Sequence, residues 1–135
     1  MKILEMNLKD NSYSIYIERN ILSTIGEYLK KNYSCKKIAI ITDSNLEKLY
    51  GENLNKIIKK EGFNTKIICV KPGEESKSID TLKEVYNELS KFKIGRENLI
   101  IIFGGGVVGD LGGFAASTYL RGVPYIQVPT SLLAQ

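Results

Sequence analysis

The residues best suited to chemistry lie in a glycine-rich stretch from 104 to 110. It reads Gly-Gly-Gly-Val-Val-Gly-Asp and fits the pattern G-x-G-x-x-G, with an apolar run before it and a Gly- and Ala-rich segment after it. Glycines permit a sharp turn with positive φ and a close backbone approach to a pyrophosphate, while free N–H groups at a helix start favour phosphate charge. The stretch predicts a dinucleotide site. A turn needed only for close helix-to-sheet packing stays an equal alternative, since small residues continue at Gly112, Gly113, Ala115 and Ala116.

Two other polar turns follow apolar runs and are predicted to lie at the same edge of a sheet. Asp43 and Asn45 follow one run, and the loop 71–77 follows the next. No acidic residue occurs after Asp110, so the ribose-binding acid usual about 20 residues downstream of the glycines is missing. Asp43 and Asn45 could accept hydrogen bonds from ribose hydroxyls instead, but Asp43 is equally suited to cap the helix predicted at 46–59. Asp110 could face a ribose or nicotinamide, or serve only as a partner of the helix dipole.

The elements that would position these turns alternate between strands and helices. Apolar runs at 38–41, 63–70, 99–103 and 123–128 are typical of buried parallel strands. Helical spacing occurs at 21–31, at 46–58, after Ser78 or Asp80, and at 107–119. The order predicts an α/β fold, a Rossmann-like parallel sheet with flanking helices. Alternation at 2–8 and 12–17 predicts an additional antiparallel N-terminal hairpin.

Composition excludes several classes of function. The 135 residues suffice for one domain, and the absence of histidine excludes a Ser-His-Asp triad, a Cys-His pair or a His-ligated metal built from this chain alone. The net charge of +4 comes from lysines scattered among acids, so no nucleic-acid partner is expected. No signal peptide and no apolar run of about 20 residues occurs, which predicts a cytoplasmic protein without a membrane partner. Cys35 and Cys69 match no metal or redox spacing, and Cys69, inside an apolar run, is predicted to be a core residue.

Five segments together resemble the 3-dehydroquinate synthase family, and the resemblance is almost continuous from residue 104 to 135. Asp43 and Asn45 match the family's first loop, so the likeness extends in order and spacing over nearly the whole chain. The segments are Pro72-Gly-Glu-x-x-Lys77, Gly104-Gly-Gly-Val-Val-Gly-Asp110, Gly113-Phe-Ala-Ala116, Tyr119-Leu-Arg-Gly122 and Gln127-Val-Pro-Thr-Ser-Leu-Leu-Ala-Gln135.

The resemblance implies that residues 1–135 form an NAD-binding N-terminal domain. A second, mostly helical domain outside this chain would carry a glutamate and two histidines that bind zinc or cobalt. The complete enzyme would convert 3-deoxy-D-arabino-heptulosonate 7-phosphate to 3-dehydroquinate and phosphate, in the shikimate route to aromatic amino acids, with NAD serving transiently as a redox cofactor. The complete enzyme would be a homodimer, and this chain alone is expected to be inactive, with no catalytic or metal-binding residue of its own.

The resemblance also implies roles for individual residues. Asp43 and Asn45 would contact the adenosine end of NAD, and Thr130 and Ser131 would donate hydroxyls to the cofactor. Arg121 would bind the phosphate of substrate held by the partner subunit, a task that suits a bidentate guanidinium. The ribose and adenine side would be lined by Gly73, Glu74 and Lys77, and the pyrophosphate and nicotinamide ribose by Gly105, Gly106, Val107, Val108, Gly109 and Asp110.

Departures from the family and other classes leave alternatives open. Ser131 stands where many members have a second threonine, and Pro72 replaces a frequent acid. A related sugar-phosphate cyclase is the first alternative. Metal-dependent polyol and alcohol dehydrogenases share the architecture but favour serine at the position of Val107. A non-enzymatic receiver- or flavodoxin-like module is a third, and a receiver would need paired acids where Asp43 stands alone.

Overall fold

Six strands and five helices make up the computed structural model, which describes all 135 residues. The strands are β1 (Lys2–Met6), β2 (Tyr13–Ile17), β3 (Lys37–Asp43), β4 (Asn64–Val70), β5 (Leu99–Gly104) and β6 (Tyr125–Pro129). The helices are α1 (Ile25–Asn32), α2 (Ser44–Leu46), α3 (Glu52–Lys60), α4 (Ile79–Lys91) and α5 (Gly106–Thr118). None of these helices combines the length and apolar composition that crossing a membrane requires.

Strands β3 to β6 form one parallel sheet in the order β4-β3-β5-β6. All six residues of β5 and the five central residues of β3 are buried, because helices cover both faces of the sheet. The sequences of these two strands are apolar at successive residues, as strands covered on both faces require. The predicted Rossmann-like α/β fold is therefore confirmed.

Helices cover the two faces of the sheet and divide the core into two clusters. On one face, α4 and α5 supply Val85, Leu89, Leu111 and Ala115, which pack on Ile100 and other strand residues. On the opposite face, α1 and α3 supply the buried residues Leu29, Leu54 and Ile58. Ser78 caps α4 by accepting the N–H of Thr81, so of the two predicted caps Ser78 is the one used.

The chain reverses its direction of progress across the sheet between β3 and β5. From β3 it moves outward to β4, and from β4 it crosses over β3 to reach β5 on the other side. In open parallel sheets, ligands bind outside the carboxyl ends of the strands at such a switch point. The carboxyl ends of β3 and β5 are Asp43 and Gly104, so two of the three predicted turns lie at the switch point.

Strands β1 and β2 form the predicted antiparallel hairpin, with Lys2 paired to Ile17 and Met6 paired to Tyr13. The hairpin makes a separate two-stranded sheet. An edge-to-face contact between the rings of Tyr16 and Tyr28, 5.3 Å between centroids, joins it to α1.

Three local features differ from the sequence-based expectations. Cys69 is exposed, so its prediction as a core residue is wrong: Ile68 and Val70 point into the core, and strand alternation turns the residue between them away from it. Strand β3 passes directly into α2 without an intervening turn. Between α2 and α3 the helix widens into a π-helical segment, Glu47–Gly51, which interrupts the single helix expected from the spacing.

Candidate functional site

Asp43 ends β3 and caps the helical segment that follows. Its Oδ1 accepts the backbone N–H groups of Asn45 and Leu46, both at 2.9 Å. The capping interpretation of Asp43 is therefore confirmed, while its other carboxylate oxygen, Oδ2, has no hydrogen bond within the chain. The Asn45 side chain is exposed beside it. At the switch point, one oxygen of Asp43 thus caps the following helical segment and the other is left without a hydrogen-bond partner in the chain.

The glycine turn at the end of β5 is tight without left-handed backbone. Positive φ among the glycines occurs only at Gly62, Gly73 and Gly122, and Gly105 has φ −80°. The expectation of positive φ in this turn is therefore wrong. The first glycine is explained instead by a lack of space for a side chain. A Cβ on Gly104 would lie 2.5 Å from the Cβ of Val108, because the helix folds back over the end of the strand.

Gly106 is a glycine that the protein's own structure does not require. It opens α5, its φ is not positive, and a Cβ built on it would meet nothing within 4 Å. Its N-cap, Gly105, contributes no side-chain hydrogen bond, so the first N–H groups of the helix are not capped by a side chain. An open space in front of uncapped helix N–H groups is the geometry in which a backbone approaches an anionic group closely.

The packing interpretation of the small residues holds further along the same helix. A Cβ on Gly112 would lie 2.8 Å from Cγ2 of Ile102, so this glycine lets α5 lie close against the sheet. Gly109, the last glycine of the pattern, faces Gln127, whose Nε2 donates to the Gly109 carbonyl at 3.4 Å. The two interpretations therefore apply to different glycines: Gly112 serves packing, and Gly106 leaves an open space.

The second loop, between β4 and α4, is shaped by two of its own residues. Gly73 has φ +105°, a conformation that side chains rarely adopt, which explains the glycine. Ser76 is buried and its hydroxyl donates to the carbonyl of Lys71, closing the loop on itself. Nothing in the sequence indicates that Ser76 matters, and its burial and hydrogen bond show that it stabilises the loop.

An ion pair joins this loop to the glycine helix. Lys77 Nζ lies 2.7 Å from Oδ2 of Asp110 and 3.4 Å from Oε2 of Glu74. The hydrogen bond to Asp110 is the main cause that raises the pKa of Lys77. All three side chains are substantially exposed, so solvent screens the attraction. The sequence indicates each of these residues separately, and the structure adds their pairing, which brings the second loop to the first turns of α5.

The end of β6 lies against the glycine turn. The backbone N–H of Thr130 donates to the carbonyl of Gly104 at 3.0 Å, and Ser131 Oγ lies 3.4 Å from the point that a Cβ on Gly105 would occupy. Both side chains are exposed. The structure thus assembles Asp43, the loop ending at Lys77, the glycine turn and Thr130-Ser131 along the carboxyl edge of the sheet.

Arg121 lies at the opposite edge. It sits between α5 and β6, before the amino end of that strand, and its side chain is exposed. Helix α5 has 13 residues and separates it from Gly106 by about 20 Å at 1.5 Å per residue. Arg121 is therefore the one predicted site residue that does not join the others. No group of three His, Cys, Asp or Glu side chains in the chain could hold a metal ion.

Comparison with known proteins identifies close relatives. The model of the family described as "3-dehydroquinate synthase N-terminal" matches residues 67–135. The 3-dehydroquinate synthase of Clostridium acetobutylicum is 57% identical over all 135 residues, and that of Streptococcus thermophilus is 45% identical over 132 residues. These matches cover 38% and 37% of the two relatives, so the chain spans less than two fifths of their length.

Solved structures share the fold. A 2-deoxy-scyllo-inosose synthase complexed with carbaglucose-6-phosphate, NAD+ and Co2+ superposes with a TM-score of 0.86 at 22% identity, over 98% of this chain and 36% of that one. A 2-epi-5-epi-valiolone synthase from Streptomyces hygroscopicus, with NAD+ and Zn2+ bound, gives 0.78 at 27% identity, over 94% and 35%. The family match covers the glycine turn, the second loop and the end of β6, and the chain belongs to the 3-dehydroquinate synthase family, whose N-terminal region it matches.

Proposed function

We propose that residues 1–135 are the NAD-binding domain of a 3-dehydroquinate synthase. The observation that carries the proposal is the open space at Gly106, a glycine that neither backbone conformation nor packing requires, in front of uncapped N–H groups at the switch point of the sheet. The identity of 57% to a 3-dehydroquinate synthase over the whole chain supports the same conclusion.

The residues of the carboxyl edge fit a dinucleotide. The pyrophosphate would approach Gly105 and Gly106 and accept from the N–H groups of Val107 and Val108, with Gly109 keeping the next turn of the helix free of a side chain. The dipole of α5 favours its negative charge. The carboxylate of Asp110 would repel the pyrophosphate if the two groups faced each other. Its ion pair with Lys77 at 2.7 Å turns the carboxylate toward the second loop, away from the first N–H groups.

The remaining residues fit the ends of the cofactor. Asp43 has one free carboxylate oxygen, Oδ2, and Asn45 an exposed amide, and both can accept from ribose hydroxyls at the adenosine end. Gly73 and Glu74 lie on the loop that Lys77 ties to α5 and would line the ribose and adenine side. Thr130 and Ser131 offer exposed hydroxyls next to the glycine turn.

In the complete protein we propose the conversion of 3-deoxy-D-arabino-heptulosonate 7-phosphate to 3-dehydroquinate and phosphate. NAD, when bound, supplies a transient hydride acceptor, and the residues described here bind and orient it. The side chains of this chain do not fit a metal centre, so the zinc or cobalt ion would be held by residues outside it.

Arg121 supports a homodimer. Its exposed guanidinium has no acidic partner in the chain and lies about 20 Å along α5 from the cofactor site. This distance places it away from the proposed cofactor site of its own domain. A two-fold partner that brings this edge to the other subunit's substrate would give Arg121 a phosphate to bind.

Calorimetric titration with NAD+ tests the domain's role directly. We expect saturable binding of NAD+ to this chain, and no detectable heat or thermal shift at millimolar NAD+ would contradict the proposal. For the complete protein, release of inorganic phosphate from 3-deoxy-D-arabino-heptulosonate 7-phosphate tests the reaction. Turnover of another sugar phosphate in its place would instead identify one of the related cyclases.

A further inference from the structure

The segment that carries Arg121 has an unfavourable backbone. Leu120, Arg121 and Gly122 have φ values of 50°, 65° and 117°, three successive residues with positive φ that begin one residue after the end of α5. Only glycine adopts this conformation without steric cost, and bulky side chains are uncommon there. Such a backbone persists only where surrounding contacts hold it, and strained residues cluster at functional sites.

Main-chain hydrogen bonds close the segment. The N–H of Gly122 donates to the carbonyl of Tyr119 at 2.9 Å, and the N–H of Val123 donates to the carbonyl of Ala116 at 2.8 Å. Positive φ at the two central residues of such a turn is the pattern of a type I′ turn, which normally uses Asn or Gly at these positions. Here the positions hold Leu120 and Arg121, so the local sequence does not favour the turn.

Two tyrosines and a threonine fix the helix end from which the turn starts. The hydroxyl of Tyr119 donates to the carbonyl of Ile94 at 3.2 Å, and its ring stacks on that of Tyr86 with 6.1 Å between centroids. The hydroxyl of Tyr86 is hydrogen-bonded to that of Thr118. Thr118 donates its own hydrogen to the carbonyl of Phe114 at 2.6 Å, so Tyr86 must be the donor in the bond between the two hydroxyls.

We propose that Tyr86, Thr118 and Tyr119 are positioning residues for Arg121. The guanidinium makes no salt bridge in the chain, so its location depends on the backbone beneath it rather than on contacts of its own. The two tyrosines connect the start of the turn to α4 and to the loop at Ile94. By fixing the backbone of the turn, they fix the direction in which the Arg121 side chain extends from the surface. The inference rests on the proposed phosphate-binding role of Arg121.

The test uses the complete enzyme and the variants Tyr86→Phe and Tyr119→Phe. Each removes one hydroxyl and keeps the ring stacking. Loss of one hydrogen bond predicts a KM for the phosphate-bearing substrate raised about 3- to 10-fold, with the Kd for NAD+ unchanged. Thr118→Val, which removes the acceptor of Tyr86, should give the same result. Tyr28→Phe is the matched control, because Tyr28 is also half-buried but packs against the other face of the sheet.

A double-mutant cycle separates positioning from general stability. In an Arg121→Ala background, Tyr119→Phe should raise KM no further, because there is no guanidinium left to position. A further rise of the same size in that background would overturn the proposal and make the tyrosines structural. If Arg121→Ala raises KM but the tyrosine variants do not, the positioning role fails while the phosphate-binding role stands. If Arg121→Ala leaves KM unchanged, the phosphate-binding role fails and the positioning role with it.

Discussion

Replacing Gly106 with alanine should change stability and cofactor binding in opposite directions. The added Cβ meets nothing within 4 Å and the backbone is already helical, so the fold can accept it. A glycine-to-alanine change at a compatible position stabilises a protein by about 0.4–1 kcal/mol, chiefly by reducing the entropy of the unfolded chain. For a domain of this size, that corresponds to an unfolding temperature raised by a few degrees.

The same methyl group should weaken NAD+ binding. If the pyrophosphate approaches the backbone at Gly106, the Cβ occupies the space that the ligand needs, and an overpacked contact of one methyl group costs about 1–3 kcal/mol. At about 1.4 kcal/mol for each factor of ten, the dissociation constant should rise by roughly 5- to 150-fold. Calorimetric titration with NAD+ and thermal unfolding of the same preparation measure the two effects.

Gly112→Ala is the control for this experiment. A Cβ there would lie 2.8 Å from a branched side chain of the sheet, so the variant should unfold at a lower temperature than the wild type. A Gly106→Ala variant that binds NAD+ as tightly as the wild type would refute the assignment of the open space to the pyrophosphate. A variant that is destabilised as much as Gly112→Ala would show that Gly106 is a packing residue instead.

Three further outcomes follow from the site. Asp43→Ala should lower the free energy of unfolding in urea by about 1 kcal/mol, because two N–H groups lose their acceptor, whereas Asp43→Asn keeps a capping oxygen and should lower it less. Asp110 raises the pKa of Lys77, so the stability that protonated Lys77 gains from the pair is fully present just below the ordinary lysine pKa of about 10.4. That stability is lost as pH rises through the raised pKa of the folded state. In an NMR titration of the Lys77 side chain, Asp110→Asn should therefore shift the midpoint to lower pH, and an unchanged midpoint would contradict the pairing. Arg121→Ala should leave the Kd for NAD+ in this chain unchanged by calorimetry, and a large loss would contradict its separation from the cofactor site.

The sheet could be predicted from the sequence because its strands carry an unusual pattern. The runs at 38–41 and 99–103 are apolar at every position, which a strand covered on both faces requires. An apolar run of the same kind led to the wrong prediction that Cys69 is a core residue. An apolar run does not tell which of its residues faces the core, and strand alternation exposes this one between two buried neighbours.

The glycine pattern correctly predicted a turn between β5 and α5 but gave the wrong reason for it. The sequence alone does not show whether a glycine is needed for a positive φ, for close packing or for an open space, because all three requirements select the same residue type. The structure separates them: Gly73 has positive φ, Gly112 packs on the sheet, and Gly106 faces open space. The ion pair between Lys77 and Asp110 was beyond sequence reasoning for a related reason. It depends on where the second loop meets the first turns of α5 at the sheet edge, which spacing along the chain does not encode.

Helix α5 connects the two separate parts of the proposed function. Its first residue, Gly106, opens the cofactor site, and the turn after its last residue, Thr118, carries Arg121 at the other edge of the sheet. The small residues on its buried face let it lie close to β5, where the dense packing of the core holds it against the sheet. The stacked rings of Tyr86 and Tyr119 lie at its far end, next to the turn that carries Arg121. In the proposed function, the Gly- and Ala-rich helix would therefore serve both sites, the cofactor at its first turn and the substrate phosphate beyond its last.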